Sequence, residues 1–122
     1  MRAFSVRATV VLVAGVMGLY GVASAAAASH GADPRLLGGA SAMCLAHAPA
    51  LLALVAGWRR IPTAAIAALL LAFGTAGFAA DLTLRHMTGH GLFPMAAPIF
   101  GLTMMAGWLA IALGAFRLGD DA

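Results

Sequence analysis

Four apolar runs, none carrying a polar face, constrain this chain more than any other feature. They cover about residues 8–28, 36–58, 63–82 and 95–116. As helices rising about 1.5 Å per residue, each reaches across a hydrocarbon core of about 30 Å. In the third run, from Thr63 to Ala80, only Thr63 and Thr75 are polar, so no water-facing stripe can be drawn on it. A soluble bundle would need such a stripe on every helix. The chain has 122 residues with 9% charged, against about 25% in soluble proteins, and its strong charges are seven Arg and four Asp. The fold class that follows is an all-α membrane protein, a compact antiparallel bundle of four transmembrane helices forming one domain over residues 1–122.

The connections agree with that topology. "WRRIP" leaves almost no slack between runs two and three, which makes them an antiparallel hairpin. "SHGADPR" turns the chain with Gly31, Asp33 and Pro34, and "HMTGHGLFP" does so with Gly89, Gly91 and Pro94. Pro94 and Pro98 are expected in the first turn of helix four, where a missing amide proton costs least. Arg2, Arg7, Arg59, Arg60 and Arg117 fall at one end of the bundle, and Arg35 and Arg85 at the other. The excess of arginine predicts that both termini are cytoplasmic. Arg2 and Arg7, an apolar stretch and "ASAA" also fit a cleavable secretory signal. The spacing of Gly15, Gly18 and Gly21 favours a retained, packing helix instead.

The net charge of +3 does not indicate nucleic acid, because the arginines are spread along the ends of apolar runs and form no basic face. The single cysteine, Cys44, excludes an internal disulfide. In lipid, helices associate by close packing and hydrogen bonds rather than by hydrophobic drive. Small residues predict the packing faces: Gly15, Gly18 and Gly21 in helix one, Gly74 and Gly77 in helix three, and Ala106, Ala110 and Gly114 in helix four.

Three stretches carry a resemblance: "ASHGADPRLL", "CLAHAPALLAL" and "FAADLTLRHMTGHGLFPMAAPIFG" with "GWLAIAL" after it. In these the chain resembles the domain-of-unknown-function 423 family, which includes the animal transmembrane protein 256 group. Where members usually have Tyr-His-Ala in helix two, this chain has Leu45 and Ala46 before His47. The resemblance covers almost the whole chain. It implies a four-helix topology and a bacterial inner-membrane location, and it implies no particular activity.

His47 is the most informative polar residue. It stands twelve residues before Arg59, about 18 Å into the membrane. Charging an imidazole there costs several kcal/mol, so a neutral ring needing one donor and one acceptor is expected. Pro49 deprives the Leu45 carbonyl of its helical partner and is expected to loosen the helix nearby. Two roles remain open: a structural histidine bridging helices, or a proton or ligand site. Tyr20, Thr75, Thr103 and Cys44 lie at similar depth, which predicts a polar layer in which His47 hydrogen-bonds Tyr20, Thr75 or Thr103.

Asp81 lies twenty-one residues past Arg60, about 31 Å away and hence at the opposite boundary. Arg85 follows at i+4, on the same helix face, and Arg35 lies at the same level. An outer-boundary ion pair of Asp81 with Arg85 or Arg35 is the reading, with an ion or substrate ligand as the alternative. His86 and His90 are also four apart, but Gly89 and Gly91 end the helix between them, and no metal site is expected. Trp58, beside Arg59 and Arg60, reads as an interfacial anchor, and Trp108 as packing in the bundle. There is no nucleophile–base pair, phosphate loop, haem motif or zinc motif. The function expected is non-enzymatic and without cofactor: a small structural or accessory component of the bilayer, as a homo-oligomer or within a larger membrane complex. The alternative is an ion, proton or small-solute channel or transporter subunit using His47.

Overall fold

The computed structural model describes residues 4–119, all of whose regular structure is helical. Helices α1 (Val6–Ser29), α2 (Arg35–Ala56), α3 (Ala64–Thr88) and α4 (Ala96–Gly114) follow in order, and a 3₁₀ turn, Ala115–Arg117, extends the last. All four are long and apolar enough to cross a membrane. Large apolar side chains such as Leu19, Phe73, Met105 and Phe116 point outward. Arg7, Arg59, Arg60 and Arg117 are exposed at one end of the bundle. Arg2, counted with them in the sequence, lies outside the described residues.

The helix ends have local causes. Ser5 caps α1, its hydroxyl accepting from the Ala8 amide at 3.1 Å. α2 stops at Ala56 rather than Trp58, because the amides of Arg60 and Ile61 both turn back to the Gly57 carbonyl. α3 runs on to Thr88, six residues beyond the expected 82, since nothing breaks it before Gly89. Gly89 adopts φ 80°, a left-handed cap for which glycine carries no steric penalty. Pro94 is not in α4: the helix begins only after Met95, whose φ of 67° is incompatible with a helical turn. Pro98 does occupy the first turn.

α2 and α3 form the centre. α1 packs along α2, α4 packs along α3, α1 touches α3 lightly, and α1 and α4 do not meet. The bundle is therefore open along one side and does not close into a ring. Its core is built of small side chains with a few large ones: Ala40, Ala64, Ala67 and Ala68 are buried in one cluster with the fully buried Leu51 and Leu71.

Only some of the expected small residues make the helix contacts. Gly21 faces Leu45 and Cys44 of α2, leaving no room for a Cβ, and a Cβ on Gly18 would stand 3.9 Å from that of Ala48, in ordinary contact. Gly15 faces open space and packs against nothing. On α3, a Cβ on Gly74 would stand 2.9 Å from the Met104 amide nitrogen and 3.0 Å from the Phe100 carbonyl, and Gly77 lies under the Phe100 ring. On α4 the buried line is Phe100, Met104, Gly107 and Gly114; of the expected Ala106–Ala110–Gly114 stripe, Gly114 lies in it, Ala110 packs at its edge and Ala106 does not take part. Ala106 is exposed, and Ala110 contributes its carbonyl, which accepts from the Thr63 hydroxyl at 2.6 Å. Phe100 and Gly107, each on the Met104 side of the helix, fix the true azimuth. Four-residue spacing alone could not choose between two neighbouring stripes.

Candidate functional site

Two of the polar side chains inside the bundle, a histidine and an aspartate, each take contacts at both ends. The first is His47 on α2, which is buried. Its Nε2 lies 3.1 Å from Nε1 of Trp108 on α4, and its Nδ1 lies 2.8 Å from the Met43 carbonyl one turn earlier. An indole N–H only donates and a carbonyl only accepts. The arrangement therefore fixes a neutral imidazole with its proton on Nδ1. The two rings meet edge to face, with centroids 5.8 Å apart. The α2 and α4 backbones do not approach closely, so this side-chain bond is a link across the bundle. α2 continues through Pro49 without interruption.

The expected polar layer does not form. The Tyr20 hydroxyl bonds Thr83 of α3 and not His47. Thr83 gives its own proton to the Ala79 carbonyl at 2.7 Å, so Tyr20 is the donor in that pair. Thr103 turns back to the Ile99 carbonyl at 2.9 Å. Thr75 is fully buried, yet its hydroxyl has no hydrogen-bond partner among the described residues. Depth arithmetic had placed all three near the right level. It carries no information on azimuth, and at 100° per residue the three hydroxyls face different neighbours. Trp108 could have been found by asking which mid-helix side chain is an obligate donor, since the neutral histidine needed one.

Asp81 is the second. Its side chain is fully buried inside the last two turns of α3. Arg85 Nε lies 2.9 Å from Oδ2, and the Leu92 amide donates to Oδ1 at 2.7 Å. Gly91 lies against both the carboxylate and the guanidinium, where a Cβ would collide with each. The carboxylate thus ties the α3–α4 loop back onto α3, rather than facing outward at a rim. Arg35 is not its partner: Arg35 stands 3.9 Å from Asp33, both exposed. His86 and His90 are exposed, and no group of three metal-binding side chains occurs among the described residues.

Sequence reading missed a third set of polar contacts. Ser41 of α2 donates to the Gly21 carbonyl at 2.6 Å, across the α1–α2 interface. Ser24 donates to the Tyr20 carbonyl at 2.7 Å. Gly21 makes the first contact possible by letting the two backbones approach.

Two cavities adjoin these groups. An apolar cleft of about 730 Å³ runs between α1 and α3, with Leu12, Met17 and Tyr20 on one wall and Ala76, Ala80 and Thr83 on the other. A notch of about 390 Å³ lies in the α3–α4 loop, lined by Arg85 and residues 89–94. Comparison with protein-family models, curated proteins and solved structures finds no match for this chain.

Proposed function

We propose that this chain is a multi-pass inner-membrane protein with both termini in the cytoplasm, acting as a small structural or accessory component of a membrane assembly. We further propose that its resemblance to the four-helix domain-of-unknown-function 423 family reflects common descent. One observation carries the functional reading: the buried imidazole of His47 and the buried carboxylate of Asp81 are each engaged at both ends in holding the fold. His47 spends both ring nitrogens on α2 and α4. Asp81 spends both oxygens on Arg85 and the loop. A transported proton or ion would have to break one of these links at each passage, which argues for a structural role. The outward faces, being apolar throughout, suit lipid or a partner helix.

A pull-down of the tagged full chain in mild detergent tests the reading. A stable stoichiometric partner or a discrete self-assembly is the supporting result. Ion or proton flux through proteoliposomes of the purified chain, altered by His47→Ala, overturns it in favour of a transport role.

A further inference from the structure

We propose that the cleft between α1 and α3 holds an acyl chain of an anionic membrane phospholipid, whose phosphate is seated at Arg85 in the adjoining loop notch. The inference rests on the membrane reading above and adds a ligand to it.

The cleft exists because α1 and α3 touch only lightly, while the α3 face turned toward α1 carries Ala76, Ala79 and Ala80 where larger residues would close the gap. Its walls ask for no polar ligand. The two hydroxyls in it are already served, Thr83 by donating to the Ala79 carbonyl and Tyr20 by donating to Thr83. From Ala76 to Met87 the α3 wall is twelve residues, or eleven helical rises, long. That is about 16 Å, or half of a hydrocarbon core of about 30 Å. The α3 wall is thus as long as the acyl layer of one leaflet and lies in the half of that helix nearest the α3–α4 loop, while the α1 wall, Leu12 to Tyr20, lies about the middle of its helix.

At that end the chemistry changes. Leu92 lines both the cleft and the notch, so the two adjoin. Arg85 lines the notch with its side chain 38% exposed, and of its donors Nε is directed to Asp81. Its Nη2 lies beside Gly91, where a Cβ would collide with it, so only glycine lets the loop pass there with the guanidinium still at the notch. The planar fork of a guanidinium matches phosphate oxygens two at a time. His90 stands at the same notch as a further donor. An apolar cleft with a wall one leaflet long, adjoining an arginine at the boundary, fits a molecule with an acyl tail and an anionic head. A transmembrane helix of a second protein would use the cleft and leave the guanidinium donors that Asp81 does not take without an acceptor.

Native mass spectrometry of the full chain in mild detergent tests this, with phosphatidylglycerol and phosphatidylcholine of matched chains as probes. The wild-type chain should retain phosphatidylglycerol at least fivefold more than phosphatidylcholine. Ala80→Phe, which fills the cleft from an exposed position without touching the core, should lower retention of both at least fivefold. Arg85→Lys keeps a cation for Asp81 but removes the fork, and should bring the two lipids within twofold. Thermal melting of each variant verifies that it is folded. Equal retention of the two lipids by the wild type overturns the proposal. So does wild-type retention by a folded Ala80→Phe chain, or disulfide-linked dimers formed through Ala80→Cys, which would assign the cleft to a second copy. Failure of the membrane reading itself is seen separately, as release of the chain from membranes by alkaline carbonate.

Discussion

Trp108 donates its indole proton to His47 Nε2 at 3.1 Å, joining two helices whose backbones do not otherwise come together. The bond explains how a histidine is accommodated inside an apolar bundle. One helix supplies the acceptor it needs at Nδ1 and another supplies the donor it needs at Nε2.

Trp108→Phe keeps the aromatic packing and removes the donor. The loss should be about 1 kcal/mol, within the range measured for hydrogen bonds between membrane helices, and should appear as a modest drop in the melting temperature in detergent. In histidine labelled with nitrogen-15, the wild-type His47 should show a protonated Nδ1 and an unprotonated Nε2. The opposite tautomer would contradict the geometry.

Asp81→Ala leaves Arg85 and the Leu92 amide without their acceptor. An unpaired buried donor costs about 1–3 kcal/mol, and Arg85, partly exposed, keeps some hydration, so the variant should melt clearly below the wild type. Asp81→Asn retains an acceptor for Leu92 and should lose less. Limited proteolysis provides the second measure: the peptide bonds of residues 89–95 should become cleavable first, because Asp81 is what fastens that loop.

Gly74 and Gly15 should respond in opposite ways to the same change. Alanine at Gly74 places a methyl about 3 Å from two backbone atoms of α4 and must push α3 and α4 apart. Alanine at Gly15 meets nothing and gains up to about 1 kcal/mol of helix propensity. Paired thermal melts of the two variants decide the matter. Destabilisation by Gly15→Ala would mean that this face of α1 is covered by something else.

Thr75→Val replaces a fully buried hydroxyl that has no partner with a methyl of nearly the same shape. Leaving such a group unpaired costs about 1–3 kcal/mol, so the valine variant should melt higher than the wild type. A lower melting point would show that the hydroxyl is satisfied in solution.

The proposed orientation is open to thiol labelling. Cys44 is buried and should stay silent in the folded chain. A cysteine at His90 should react with an impermeant reagent added outside intact cells, and one at Arg60 only after the cells are opened. The reverse pattern would invert the topology.

The number of helices, their approximate limits and their antiparallel succession were legible in the sequence, because they depend on one-dimensional quantities. Apolar length sets whether a helix can span, short connections force neighbours together, and charge marks the ends of each run. The level of a residue along the bundle is one-dimensional too, which is why Asp81 was read at the end opposite Arg60. The tertiary structure decided everything that depends on rotation about a helix axis and on how loops fold back. Rotation gives His47 to Trp108 rather than to Tyr20, Thr75 or Thr103, and selects Gly107 over Ala106. It also leaves Gly15 exposed while Gly21 sits between two backbones. The fold of the α3–α4 loop buries Asp81 beneath Leu92 and Gly91. The physical reason is common to these cases: a chain of small apolar residues is nearly the same on every side, so its pattern fixes how far along a helix a group lies but not which neighbour it faces.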